Sequence, residues 1–176
     1  MIFDDITELN AAVKLDGLHR ALVRFEVDHM VRMNLNEYDQ AYLEALPDWY
    51  GMLEGMSKLG YAFTGVLDGR PMCCFGVMKM WPGVAEMWLV PDVDLSLVAR
   101  SFHRAAKKFA DICMSDLHLF RLQVTVNTLN VPADKWIKTL YFVEEGVLRQ
   151  FGPDGSSHKM YSRLRETQDV APDQGH

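Results

Sequence analysis

The chain is poor in everything that would staple, export or anchor it. Three cysteines in 176 residues, two of them adjacent at Cys73 and Cys74, make neither a disulfide framework nor a zinc-binding spacing. They read as small buried hydrophobes. No apolar run approaches the roughly 20 residues needed to cross a bilayer, and the opening MIFDDITELN carries acids where a secretory signal carries lysines. A soluble protein of the cytoplasm, without a membrane partner, is expected. Positive charge is in deficit, with 18 Lys and Arg against 24 Asp and Glu for a net charge of −6. That balance argues against a bulk nucleic-acid partner, which needs a basic face to displace counterions. The six histidines are scattered without metal-ligand spacing, so no metal site is expected, and neither a G-x-S-x-G nor a Walker-type loop occurs. There is no internal repeat and no low-complexity linker. The length suits one well-buried domain, over residues 1–165, with the polar stretch 166–176 (ETQDVAPDQGH) as a flexible tail.

What is present is a clear order of elements. Residues 1–6 read as a short first strand, and Leu18, Leu22 and Phe25 recur at helical spacing, which predicts a helix from about Asp16. Glu37 to Leu46 reads as a helix stopped by Pro47. Asp48 then caps another that carries Trp49, Met52, Leu53, Met56 and Leu59 on one face. From Tyr61 the pattern turns to strands: YAFTGVL, the turn Asp68-Gly69, RPMCCFGVMKM, the turn Trp81-Pro82-Gly83, and VAEMWLV. Asp-Gly between two apolar runs is a strong hairpin signal, and the three strands are expected to form an antiparallel meander. Val98, Phe102, Ala105, Phe109 and Ile112 form a helical stripe with Arg104, Lys107, Lys108 and Asp111 on other faces. Leu122, Val124 and Val126 then alternate with Arg121, Gln123 and Thr125, the period of a half-buried strand.

The last third, FRLQVTVNTLNVPADKWIKTLYFVEEGVLRQFGPDGSSHKMYSRL, lays out strand, loop, short helix, strand, turn and strand. With VLDGRPMCCFGV, GVAEMWLVPD and the run Asn130-Val-Pro-Ala133, Trp136, Tyr141-Phe142 and Gly146, it resembles the GNAT superfamily of acyl-CoA N-acyltransferases. The resemblance implies a single-domain α/β fold with a mainly antiparallel, twisted sheet and helices on both faces. It also implies a V-shaped opening between the fourth and fifth strands, where backbone N–H groups meet the acyl carbonyl of acetyl-CoA. A helix N-terminus would face the pyrophosphate, since its first amides lack partners within the helix.

On that resemblance Glu86 is the general base for an acceptor amine, its pKa raised by apolar neighbours. As a strand residue, it would otherwise face solvent. Trp88, Leu89 and Val90 supply the amide edge, and Asn130 belongs to the cofactor-binding run. Arg100 and Arg104 grip the nucleotide end, or else form a solvated helix face. The family tyrosine that protonates the leaving thiolate falls on Ile137 here, so Tyr141 is read either as a displaced acid or as a buried aromatic at a helix–strand junction. Tyr161 and His158 are lesser candidates, and a histidine beside a Gly-Ser-Ser turn is ordinarily exposed. The family's glycine-rich phosphate turn is replaced by PDVDLSLVARSF, with no glycine from Asp92 to Arg104. Two anions about 6 Å apart at an effective dielectric of about 20 repel by roughly 3 kcal/mol. Asp92 and Asp94 therefore imply a pyrophosphate cradle that is absent or rebuilt, and Asp94 or Ser96 is available as a helix cap.

Two functions follow. One is an acyl-CoA-dependent N-acetyltransferase acting on an amine acceptor. The other is a non-catalytic protein, since VLDGRPMCCFG, AEMWLV and NVPADKWIKTLYFVEEG also resemble the internal virion protein A family of short-tailed bacteriophages. That resemblance implies assembly with phage structural proteins in the bacterial host cytoplasm and a place in the virion. One scaffold hosts both kinds of protein.

Overall fold

A computed structural model describes residues 1–15 and 19–165. Seven strands form one sheet in the order β1-β2-β3-β4-β5-β7-β6, with six α-helices on its two faces. The meander is as the sequence predicts: β2 (Gly60–Leu67), β3 (Arg70–Trp81) and β4 (Val84–Pro91) pair antiparallel. Asp68 and Gly69 both take positive φ (49° and 76°), which the tight turn between β2 and β3 demands. The helix α5 (Ala99–Asp116) crosses from β4 to β5 (Arg121–Asn127), which lies parallel to β4. Helix α6 (Val131–Lys138) leads to the antiparallel pair β6 (Val143–Leu148) and β7 (His158–Leu164).

The first quarter departs from its sequence reading. Residues 2–4 form a 3₁₀ turn instead of a strand, followed by helix α1 (Ile6–Val13), because the Asp5 carboxylate accepts the N–H groups of Thr7 and Glu8 and so starts a helix. The predicted helix from Asp16 is instead strand β1 (Arg20–Arg24), pairing antiparallel with β2. Leu18, which carried part of that helical spacing, lies outside the described residues, as does the predicted tail 166–176. Strand β1 is buried at its centre, Leu22, and exposed at its ends, Arg20 and Arg24, and pairing with the edge of β2 outweighs a weak helical spacing. Three helices follow: α2 (Val27–Val31), α3 (Glu37–Glu44) and α4 (Trp49–Lys58), the last begun, as expected, by Asp48 accepting the Gly51 N–H at 2.9 Å.

Each face of the sheet has its own core. On one, Phe3, Leu9, Phe63, Phe109, Leu122, Leu140 and Tyr161 pack together with α1, α5 and α6. On the other, Met30, Met33, Leu43, Leu53 and Cys74 pack with Trp49, Met56 and Trp88 beneath α2, α3 and α4. All three cysteines are buried and unpaired, and burial pushes the Cys73 thiol up to about 12. They are inert hydrophobes. Among the described residues, no helix is long and apolar enough to cross a membrane and no cluster of His, Cys, Asp and Glu is arranged to hold a metal.

Candidate functional site

The feature that makes a site is a fork in the sheet. Strands β4 and β5 pair over only three positions, Val84↔Arg121, Ala85↔Leu122 and Glu86↔Gln123. Beyond Glu86 the two strands part, so the edge of β4 from Met87 to Pro91 has no strand beside it on that side. Glu86 sits at the apex. Strand periodicity places Leu122, Val124 and Val126 toward α5 and α6, and Arg121, Gln123, Thr125 and Asn127 toward the face covered by α3 and α4. Residues opposite one another in register share a face, so Glu86, Ser162 and His158 join that polar row, opposite Gln123, Gln123 and Asn127 respectively.

A chain of hydrogen bonds fixes the orientation of Glu86. Ser162 Oγ donates to Glu145 Oε1 at 2.6 Å, and Arg121 binds Glu145 through Nη1 and Nη2 at 2.8 and 2.6 Å. Arg121 Nε in turn donates to Gln123 Oε1 at 2.8 Å, which leaves the Gln123 amide nitrogen to donate to Glu86 Oε2 at 3.0 Å. The guanidinium therefore decides which way the Gln123 amide points. Hydrogen bonds to Arg121 and Ser162 hold the Glu145 carboxyl down at about 2. Glu86 Oε1 accepts nothing from the described residues.

Glu86 opens into a cavity of about 230 Å³ between the fork and α3–α4, lined also by Asp39, Tyr42, Met56, Trp88, Asn127 and His158. Neither Asp39 nor Tyr42 was singled out from the sequence, where α3 reads as an ordinary half-polar helix. Burial raises the Asp39 carboxyl to about 6 despite a hydrogen bond from Asn36 Nδ2. Burial, followed by the charges of Glu86 and Asp154, pushes the Tyr42 phenol up. The sign of the Asp39 shift makes a prediction. A carboxyl raised from 3.8 to about 6 costs nothing when protonated, and its penalty grows as pH rises through that interval. Asp39→Asn is accordingly expected to stabilise the protein by about 1 to 3 kcal/mol at about pH 8 and to leave its stability at about pH 3.5 unchanged. Urea unfolding at both pH values checks it.

On the α5–α6 side of the fork lies a smaller, almost wholly apolar cavity of about 80 Å³, lined by Phe102, Trp88, Leu89, Val124 and Trp136 among others. Trp88 and Trp136 line both cavities. Phe102 of α5 stacks on Trp136 of α6, with centroids 5.1 Å apart and planes at 24°. Gly76, opposite Trp88 in register, makes room for the indole, since a Cβ there would meet Trp88 Nε1 at 2.7 Å.

The chain as a whole has counterparts of the same fold among solved structures. An acetyltransferase of the GNAT family from Bacillus anthracis superposes with a TM-score of 0.63 at 15% identity, over 85% of this chain and 97% of that one. The ribosomal-protein-S5-alanine acetyltransferase from Vibrio fischeri gives 0.63 at 15% identity, over 89% and 98%. Mycobacterium smegmatis RimJ in complex with a CoA disulfide gives 0.63 at 17% identity, over 82% and 81%. The fold is the GNAT acetyltransferase fold. No protein-family model and no curated protein sequence matches the chain.

Within the GNAT fold, the sequence-derived residues separate into groups. Glu86, Trp88, Leu89, Val90 and Asn130 all line the larger cavity. The side chain of Asn130 caps α6 by accepting the Ala133 N–H at 3.1 Å. Glu86 is half-buried against the cavity. Tyr141 lies elsewhere: it is 61% exposed, neither buried at the junction nor part of either cavity, and bonded to Lys107 Nζ at 2.8 Å. Its φ of 66° lies in the left-handed region, which is costly for a residue with a Cβ. Tyr161 is fully buried, its hydroxyl donating to Asp134 with the Glu144 carboxylate beside it. His158, expected to be exposed, is 6% exposed.

The turn after β4 differs from the sequence expectation in a way that bears on acyl-CoA. Asp92 does not face outward to repel an anion. Its buried carboxylate accepts the N–H groups of Asn34 and Asp94, both at 2.8 Å, and Arg70 Nη2 at 2.9 Å, while Asp94 also pairs with Arg70 at 2.8 Å. One guanidinium pairs with both carboxylates and offsets one of the two charges. A 3₁₀ turn over Val93–Val98 replaces the glycine-rich loop, and Val98, not Asp94 or Ser96, precedes α5 without a side-chain cap. Its amides are spent internally: Val93 on Asn34 O, Asp94 on Asp92 Oδ1, Leu95 on Asp92 O and Ala99 on Ser96 O. The open strand edge and the apolar cavity are where the thioester end of an acyl-CoA would lie. Its phosphates would have side-chain cations in place of an amide cradle, because Arg100 and Arg104 stand exposed at the start of α5 and form no ion pair among the described residues.

Proposed function

We propose that this chain transfers a short acyl group from acyl-CoA to an amine, with Glu86 taking the amine proton. The observation that carries the reading is the fork itself, which presents an unpaired strand edge and a carboxylate oxygen at one point. Acyl-CoA, when bound, supplies an electrophilic thioester carbonyl and a thiolate leaving group. Glu86 Oε1 accepts the proton, while the Gln123 amide, held by Arg121, keeps Oε2 occupied and the carboxylate plane fixed. The edge from Trp88 to Val90 offers preorganised amides in a site walled by apolar side chains, where such donors act most strongly. Arg100 and Arg104 grip the phosphates as point charges, and Asn130 positions α6 beside the cavity. Water is kept from the apolar side by the Phe102–Trp136 stack.

Calorimetric titration with acetyl-CoA tests the reading. Micromolar binding is expected, weakened about tenfold by reversing Arg100 and Arg104 to glutamate together. No binding up to millimolar cofactor, with the fold intact, sinks it. One observation favours the second reading, a non-catalytic GNAT-fold protein working through contacts with phage structural proteins: the amides of Val93, Asp94, Leu95 and Ala99 in the turn after β4 are already used within the protein. That reading predicts no heat with acetyl-CoA.

A further inference from the structure

The smaller cavity leads away from the fork through the apolar interior. Met87, Trp88, Leu89, Val124, Trp136 and Ile137 line it and the larger cavity alike, so the two meet where β4 and β5 part. From there its lining crosses the sheet beneath α5. Phe75 lies opposite Leu89, and Cys73, Gly65 and Leu22 stand in register across β3, β2 and β1. Three inter-strand spacings, roughly 14 Å, separate β4 from β1. A cavity of this volume spread over that span is narrow along its course.

Small residues keep it open, Gly65 and Cys73 on the sheet and Ala105 and Ala106 on α5. A Cβ on Gly65 would stand 3.0 Å from Cys73 Sγ and 3.9 Å from Leu22 Cδ2. The guanidinium and hydroxyl in the lining are already engaged. Ser101 Oγ accepts from Arg20 Nη1 at 3.2 Å and donates to Val98 O at 2.9 Å. The amides of a pantetheine arm would lose hydrogen bonds on entering such a space, whereas a hydrocarbon chain has none to lose. Protein interiors leave few voids larger than one water. About 80 Å³ gives room for roughly five to seven groups the size of a water or a methylene.

The free edge of β4 also sorts the reactants. Ala85 is level with Leu122 and Glu86 with Gln123, so alternation turns Met87 and Leu89 toward α5 and Glu86 toward the larger cavity. An amine approaching Glu86 and an acyl chain passing Met87 and Leu89 lie on opposite faces of the sheet.

We infer that the donor carries a medium-chain acyl group of about six to eight carbons, its carbonyl at the edge of β4 and its tail in the smaller cavity. The inference rests on the acyl-transfer reading for the donor being an acyl-CoA. The transfer itself is the same for any chain length. The amine nitrogen bonds to the carbonyl carbon, the C–S bond breaks, the amine proton passes to Glu86 and CoA departs as thiolate.

Calorimetry with CoA and with its acetyl, butyryl, hexanoyl, octanoyl and hexadecanoyl thioesters is the test. Each methylene taken into apolar surroundings is expected to tighten binding about three- to fourfold. Hexanoyl-CoA should therefore bind at least about tenfold more tightly than acetyl-CoA. Hexadecanoyl-CoA, too long for the span, should bind no more tightly than octanoyl-CoA. Ala105→Leu, which fills the cavity from α5, is expected to abolish the preference for the longer chains and to leave acetyl-CoA affinity unchanged. Carbon-13 NMR of the leucine methyl groups gives a readout that needs neither turnover nor that variant. Leu22, on β1 and 4% exposed, lines the cavity away from the fork. Its methyl signals should move with octanoyl-CoA and not with acetyl-CoA.

Four results would overturn the inference: affinities equal or falling from acetyl to hexanoyl, affinity still rising at hexadecanoyl, a preference that survives in folded Ala105→Leu protein, or unmoved Leu22 signals. The two readings fail separately. Binding and transfer of acetyl that weaken with each added methylene remove only this inference. Tight octanoyl-CoA binding that moves Leu22, with no transfer to any amine, removes only the transferase. No binding of CoA or any thioester removes both.

Discussion

Replacing Glu86 with glutamine is expected to lower acyl transfer by about 10²- to 10⁴-fold, the range ordinarily supplied by a positioned general base, while leaving the melting temperature and acetyl-CoA affinity unchanged. The substitution keeps shape and volume, and it removes only the ability of Oε1 to take a proton. The hydrogen bond from Gln123 to Oε2 survives, because a glutamine carbonyl accepts as a carboxylate does. Steady-state kinetics with a responsive amine, beside calorimetry, separates the alternatives. A kcat that falls with cofactor affinity intact assigns the proton transfer to this residue. An unchanged kcat would move the base elsewhere in the cavity, and Asp39, held near 6, would be the next to test. Arg121→Met should have a smaller effect of the same kind, because it lets the Gln123 amide turn over without touching Glu86.

Much of this arrangement was legible in the sequence because it follows from periodicity. The alternation of Leu122, Val124 and Val126 with Arg121, Gln123 and Thr125 places the polar residues on one face, and the meander fixes β4 as the strand that brings Glu86 to the fork. What periodicity leaves open is whether a polar face meets water or another layer. Helices α3 and α4 roof this one, turning a solvated row into the wall of a cavity, and nothing local in Tyr38, Asp39 and Tyr42 announces it. His158 was misread for a related reason. The turn at Gly152 lies so close that a Cβ there would meet Ser156 Oγ at 2.4 Å and His158 Nε2 at 3.1 Å. Its lack of a side chain lets the loop settle onto the ring and bury it. Tyr141 failed through backbone conformation: a left-handed residue turns its side chain away from where a helical or extended one would put it. In the first 25 residues, the pairing offered by the edge of β2 outweighed a helical spacing of three apolar side chains.

The second large effect expected is on stability, from Asp92→Ala. Side-chain burial is complete at this carboxylate, and its partners come from three segments far apart in sequence: the Asn34 N–H before α3, Arg70 at the start of β3, and the Asp94 N–H just after β4. Burial alone would raise its pKa, but the two amides and the guanidinium outweigh it and hold the carboxyl below 3.8. Removing it leaves the part-buried amides of Asn34 and Asp94 without their acceptor and Arg70 with only the exposed Asp94. The cost is expected to be about 3 kcal/mol. Because the folded-state pKa is depressed, this contribution is complete above the unfolded value near 3.8 and is lost as pH falls below it. The deficit of the alanine variant should therefore be large at about pH 7 and shrink at about pH 3, which chemical unfolding at the two pH values will show. A deficit that does not change with pH would mean that Asp92 acts by packing and not by charge. The variant also bears on the phosphate turn. With the carboxylate gone, the Asp94 amide loses its internal acceptor and becomes available to an anion. If acetyl-CoA then binds more tightly despite the lower stability, the internal use of those amides is what sets this turn apart from a glycine-rich cradle. If binding is unchanged, the side-chain cations Arg100 and Arg104 carry the phosphates by themselves.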